Sequence, residues 1–393
     1  AGASSSGASD RDLGLMLGQP VVAPLNNGRL GVIVGNGYNS ASGKAVLYIF
    51  SIRPDGSLER TVKIDTGVAA DNGLGSPAIL DTNNDGRADL VYAGDLRGNV
   101  WKFDLGGSDP AQWSVGYGGQ PMFRARSAPA TTAFTAGSAL TPVTARPQPI
   151  TAPPLAVINN QPGSPHQGKR FVFFGTGAYL RDSDPADASV QTLYGLIDES
   201  ETPIAEDRSE LKARPVEHSG DIGGRLSRVF ATADANDMAG RRGWYIDLTL
   251  PRAGERIVSA PRIVPLALPA LMVTSIDPVT SDPCVPGGRG FLNLVDPYTG
   301  GALPTGLIDA RGNGDFAAST LRGKLISSIE VGVGLPSAPS LIRRSQGLTT
   351  AFVSGSASGD PQSTGSGTGI QGTGFKSSPS SARRISWREI IRD

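Results

Sequence analysis

The sequence predicts an all-β chain built as a β-propeller of about five blade units with long loop insertions. Three observations carry that prediction. A unit recurs in which a small residue and a proline lead into an apolar strand, a turn and a second apolar strand. Helical periodicity is sparse, its clearest stretch being Ala205 to Lys212, short enough for a surface turn. Gly (52) and Pro (30) make up about a fifth of the 393 residues, which suits many short strands joined by turns. Repetition of one supersecondary unit along a chain is the signature of a radial or stacked architecture.

The units begin at Gly18-Gln-Pro20, Gly75-Ser-Pro77, Thr151-Ala-Pro153, Ser259-Ala-Pro261 and Ser337-Ala-Pro339. In the first, strands are expected at Leu30–Gly37 and Ala45–Phe50. In the second they fall at Asp89–Gly94 and Asn99–Asp104, in the third at Arg170–Gly177 and Thr192–Asp198. The fourth offers Ala270–Ser275 and Gly290–Asp296, and the fifth Thr350–Ser354. Each is an apolar run of strand length bounded by Gly, Pro, Asn or Asp. The propeller is expected over residues 13–354. Residues 1–12 read as a flexible N-terminal segment and 355–381 as a Gly/Ser-rich linker that lacks the apolar content to order itself. Residues 382–393, with Ile385, Trp387, Glu389 and Ile391 on one parity, read as a docking strand, with a short docking helix as the alternative. The long stretches 106–152 and 198–242 read as loop excursions.

Lys+Arg and Asp+Glu number 36 each, so the net charge is zero and nothing points to nucleic acid or an anionic membrane surface. No apolar run reaches the length of a membrane-spanning helix. The one cysteine, Cys284, has no partner within the chain.

The most informative stretch is Asp81-Thr-Asn-Asn-Asp-Gly-Arg-Ala-Asp89. Asp81, Asn83, Asp85 and Asp89 stand at loop positions 1, 3, 5 and 9. Gly86 stands at the turn position 6, and the Arg87 carbonyl at position 7. Calcium takes six to eight oxygens, and this spacing supplies them from one loop. Position 12 is Tyr92 rather than Glu, and the flanks read as strands. The expected ligands are therefore Asp81, Asn83, Asp85, Arg87 through its carbonyl, and Asp89, on a strand–loop–strand scaffold. A loop with no bidentate Glu suits surroundings where calcium is near millimolar, which favours an extracellular setting.

Other constellations read as structural. Asp95, Asn99 and Asp104 suit strand-end caps. His166 and His218 with one cysteine make no zinc set. Gly35-Asn-Gly-Tyr-Asn39 and Gly175-Thr-Gly177 open no helix and suit turns between strands rather than a phosphate cradle. Trp101 shares a strand face with Phe103 and suits core packing. No nucleophile elbow or well-placed histidine suggests catalysis, so no enzyme is expected.

The run from Gly75 to Asp104 resembles the calcium-loop blade of the PilY/PilC-type tip adhesins of bacterial type IV pili. Val34–Ser40, Phe174–Leu180, Pro286–Leu292 and Arg384–Glu389 support the likeness. The resemblance implies a modified, quinoprotein-like propeller, seven-bladed in the family. It implies a secreted, non-catalytic protein of the pilus tip or cell surface, reached through the periplasm and outer membrane. Its partners would be minor pilins and a host-surface ligand. It further implies that calcium on Asp81, Asn83, Asp85, Arg87 and Asp89 sets the balance of pilus extension and retraction, and so adhesion and twitching motility. The family has about two further blades before the position of Gly18. The expectation is that the upstream part of the same precursor, or another chain, completes the ring. Two other functions compete. A quinone-dependent dehydrogenase needs adjacent cysteines, which one cysteine cannot supply. An integrin- or lectin-like propeller needs tandem calcium loops, of which one is recognised here. There is no Arg-Gly-Asp tripeptide.

Overall fold

The computed structural model describes residues 10–127, 145–164, 166–234, 236–264, 268–278, 288–343, 348–356 and 370–376. Five sheets, antiparallel except for one short parallel pairing in the third, follow one another as blades. Blade 1 is β1 (Val21–Pro24), β2 (Leu30–Gly35), β3 (Val46–Ile52) and β4 (Leu58–Asp65), in sequence order. Blade 2 is β5 (Ala78–Leu80), β6 (Leu90–Gly94) and β7 (Asn99–Asp104), with β8 (Ser114–Val115) and β9 (Phe123–Arg124) sharing the outer side of β7. Blade 3 is β10 (Leu155–Ile158), β11 (Arg170–Gly175) and β12 (Thr192–Asp198). Two later strands, β13 (Lys212–Ala213) and β16 (Gly243–Asp247), complete it.

Blade 4 departs from the simple pattern. The hairpin β14 (Val216–Ile222) and β15 (Arg225–Phe230) leaves blade 3 and joins the outer edge of the next sheet. That sheet holds β17 (Arg262–Val264), β18 (Ala270–Pro278), β19 (Gly288–Val295) and β22 (Ser328–Glu330), and the order is β14-β15-β22-β19-β18-β17. A small hairpin of β20 (Thr320–Leu321) and β21 (Lys324–Leu325) stands beside it. Blade 5 is β23 (Ser340–Arg343), β24 (Leu348–Ser354) and β25 (Ile370–Lys376).

Strand alternation builds the interior. Successive side chains point to opposite faces, and inner blades bury both. In β11, Val172 and Phe174 join the blade 2 residues Tyr92 and Val100 in one core, while Phe171 and Phe173 join the blade 4 residues Leu271 and Val273 in the next. Ile33, Leu47, Trp101 and Phe103 form the core between blades 1 and 2, and Met272, Leu292, Ala351 and Val353 that between blades 4 and 5. Four cores thus join five blades. Trp101 is fully buried, in core packing as its alternation with Phe103 predicts.

Five residues, Gln19, Pro77, Pro153, Ala260 and Ala338, come one from each repeated unit and line a single cavity of about 480 Å³. The recurring motif is therefore the innermost part of each blade. Glycines permit the close approach there. A Cβ on Gly94 would lie 2.2 Å from Ile150, and one on Gly175 the same distance from Ile257. Gly175 thus has a packing reason to be glycine that involves no phosphate.

The structure corrects several expectations. Residues 198–242 are not a loop excursion throughout, since they carry β13, β14 and β15. Ile370–Lys376, inside the stretch read as a linker, is a strand paired with β24. The backbone ladder, which composition does not report, supplies that order. Residues 10–12, read as flexible, are tied down. The Asp10 carboxylate accepts from Tyr48 Oη (2.9 Å) and Lys63 Nζ (2.6 Å), and the Asp12 carbonyl from Asn36 Nδ2 (2.6 Å). Cys284 and the docking strand 382–393 lie outside the described residues.

Candidate metal centre

Antiparallel connectivity fixes where the Asp81–Asp89 loop sits. It joins the first and second strands of blade 2, β5 and β6, at the same end as the β1–β2 turn of blade 1. A bridge between Leu25 and Ala88 holds the two turns side by side.

Within the loop the side chains fold the backbone around themselves. Asp81 Oδ2 accepts from the Gly86 amide at 2.7 Å and Oδ1 from the Asn83 amide at 3.2 Å. Asn83 Oδ1 accepts from the Asp85 amide, and Asp85 Oδ1 from the Arg87 amide, both at 2.9 Å. Asn84 and Gly86 take positive φ of 61° and 82°, the left-handed turns that Asn and Gly tolerate best. Asp85 Oδ2 faces its neighbour Arg87 at 3.7 Å, and both side chains are well exposed.

Asp89 differs from the others. Its Oδ2 accepts from both the amide (2.8 Å) and hydroxyl (2.6 Å) of Thr82, and its Oδ1 from Asn26 Nδ2 at 3.0 Å. It is buried, at 7% exposure. Burial would raise its carboxyl, but the Thr82 and Asn26 hydrogen bonds outweigh that and hold it below the ordinary carboxylate value. Asn26 also donates to the Leu105 carbonyl at 3.1 Å, so it links the loop to the ends of blades 1 and 2.

The donor set suits a hard cation: three carboxylates, one amide oxygen and one carbonyl, all from a nine-residue loop. The arrangement is not a preformed cage. Among the described residues, no three His, Cys, Asp or Glu side chains gather closely enough to hold a metal ion. Asp81, Asn83 and Asp85 each commit oxygen to the loop's own amides, and Asp89 is engaged from below.

Sequence reading recognised one such loop, but the structure contains a second of the same shape. In Asp309-Ala-Arg-Gly-Asn-Gly-Asp315, Asp309 Oδ2 accepts from the Gly314 amide at 2.7 Å, matching Asp81 and Gly86. Asn313 Oδ1 accepts from the Asp315 amide, and Gly314 has the same φ of 82° as Gly86. Arg311 and Ala317 stand where Asn83 and Asp89 stand in the first loop, so two oxygen donors are missing. The signal was Asp, Asn and Gly at positions 1, 5 and 6. Asn26 had no comparable signal, lying 63 residues from Asp89.

Asp95 and Asn99, read as strand-end caps, serve that role. Buried Asp95 Oδ2 accepts from Asn72 (2.9 Å), Asn99 (2.8 Å) and Trp101 Nε1 (2.8 Å), and its Oδ1 from the Arg97 and Asn99 amides.

A family profile described as the PilY1 beta-propeller domain matches residues 4–212. The chain is 32% identical over 311 residues to a type IV pilus biogenesis factor PilY1 homolog of Xylella fastidiosa, covering 75% of this chain and 19% of that protein. It is 30% identical over 370 residues to the type IV pilus biogenesis factor PilY1 of Pseudomonas aeruginosa, covering 82% and 30%. The crystal structure of the Pseudomonas aeruginosa PilY1 C-terminal domain superposes with a TM-score of 0.72 at 26% identity, over 94% of this chain and 74% of that one. The chain thus spans less than a third of the length of these curated relatives.

Proposed function

The chain belongs to the PilY1 beta-propeller family, and on that premise we propose that it is a calcium-binding, non-catalytic propeller of a type IV pilus biogenesis factor. Its place is the pilus tip or cell surface, where it contacts minor pilins and a host-surface ligand. The observation that carries the reading is the Asp81–Asp89 loop, in which oxygen donors and positive-φ turns occur at calcium-loop positions. Asp81, Asn83, Asp85, the Arg87 carbonyl and Asp89 would hold the ion. Bound calcium supplies positive charge that cross-links these oxygens and fixes the loop's shape. The chain's own residues pass that on: Asp89 is hydrogen bonded to Thr82 in the loop and to Asn26 in blade 1, so order in the loop bears on the seam between two blades. That link suits a role in the balance of pilus extension and retraction.

Non-catalysis is supported by the relatives' description as biogenesis factors. A companion segment, upstream in the precursor or on another chain, is proposed to pack on the free face of blade 1. There Val22 and Leu30 are 58% and 46% exposed, beside half-buried Val32, Val34 and Phe50.

The reading is tested by placing Asp85→Ala in the full-length protein of a piliated bacterium. The expected result is a changed amount of surface pili and impaired twitching at normal protein level. Wild-type piliation and twitching would remove the calcium loop from the function.

A further inference from the structure

The end of the propeller opposite the calcium loop carries the turns between second and third strands and the crossings between blades. At that end, blades 1 to 3 enclose a cavity of about 610 Å³. It adjoins the axial cavity, with which it shares Leu17, Tyr38 and Leu180.

Two features mark this groove. The first is apolar exposure. Among the described residues ten large hydrophobic side chains are exposed, and five of them, Leu15, Met16, Leu17, Tyr179 and Leu180, border these two cavities. Such clustering marks an interaction site, whereas scattered exposure does not. The second is unbalanced positive charge. Arg97, Arg146 and Arg181 line the groove. Arg97 gives Nε and Nη2 to the Ala70 carbonyl, which leaves its charge unneutralised. The exposed Arg146 side chain has no ion pair or hydrogen bond among the described residues. Arg181 pairs with Asp71 at 3.1 Å, where both side chains are more than half exposed and the pair is weak. The other acid, Asp184, already accepts from the Leu180 and Arg181 amides.

We propose that this groove receives a segment of a partner protein in which carboxylate side chains alternate with large apolar ones. Carboxylates would meet Arg97 and Arg146, the guanidinium fork being matched to that group. Apolar side chains would cover Leu15, Leu17 and Leu180. A small anion would leave that apolar surface in water. A nucleic acid would meet Asp71 and Asp184 in the same groove on a chain of zero net charge.

The test is fluorescence anisotropy on the whole chain in EGTA, with a labelled octapeptide of alternating Asp and Leu against one of alternating Lys and Leu. The acidic peptide should bind about tenfold or more tightly than the basic one, and added salt should weaken it. Arg146→Glu, at an exposed residue whose side chain makes no hydrogen bond or ion pair among the described residues, should remove most of that preference while the circular dichroism stays unchanged. Asp85→Ala should leave binding intact, which separates this groove from the calcium reading. Equal affinity for the two peptides, no binding of either, or an undiminished preference in Arg146→Glu would overturn the proposal.

Discussion

The Tyr92 hydroxyl donates a 2.5 Å hydrogen bond to the carboxylate of Asp198, 106 residues away and in the next blade. Tyr117 donates to the other oxygen at 2.5 Å, and Lys102 and Arg170 approach at 3.2 Å. The Asp198 side chain is fully buried. One carboxylate therefore ties three side chains of blade 2 to blade 3. Burial, and then the Asp198 charge, push both phenols well above their ordinary pKa. They remain donors at any physiological pH.

Removing this carboxylate strands a buried lysine. Asp198→Ala should cost about 3–5 kcal/mol, the range for breaking one side of a buried pair. Tyr92→Phe deletes one donor and leaves the others, so it should cost only about 1 kcal/mol. Urea denaturation measures both. Equal losses would mean that the cluster is not organised around Asp198.

The same cluster predicts acid sensitivity. Burial would raise the Asp198 carboxyl, but the Tyr117 and Tyr92 hydrogen bonds and the Lys102 and Arg170 charges together hold it below the ordinary aspartate value. A depressed carboxyl contributes stability above its unfolded pKa and loses it as pH falls through the folded one. The stability gap between wild type and Asp198→Asn should therefore narrow as pH drops from about 6 to about 3. A gap that is constant over that range would contradict the assignment.

Asp85 and Asp89 should separate in calcium-free buffer. Asp89 is buried and satisfies Thr82 and Asn26, so Asp89→Ala should cost about 1–3 kcal/mol without any ion. Asp85 is exposed and accepts from one amide, so Asp85→Ala should cost less than about 0.5 kcal/mol. Thermal unfolding in EGTA distinguishes the two. A loss in Asp89→Ala as small as that expected of Asp85→Ala would mean that Asp89 has no structural role apart from calcium.

The inner strands of each blade were legible because they are continuous apolar runs behind a proline. The outermost strands were not. β4 reads Leu58-Glu-Arg-Thr-Val-Lys-Ile-Asp65, and its outward residues are charged because that face meets water. β14 and β15 were hidden for another reason. They join their sheet through β22, a strand about a hundred residues later, as in the pairing of Ser227 with Ile329. Pairing at such separation leaves no local trace. In the calcium loop the spacing was legible, but the engagement of Asp89 by Asn26 depends on how two blades dock.

Calorimetric titration of calcium into the purified chain, beside Asp85→Ala, tests the central claim most directly. The account predicts one binding event per chain, because the Asp309 loop lacks donors at Arg311 and Ala317. It also predicts a stabilisation of about 2.7 kcal/mol at a hundredfold excess over Kd, with both effects lost in Asp85→Ala. No heat of binding in the wild type, or the same binding in the variant, would contradict it.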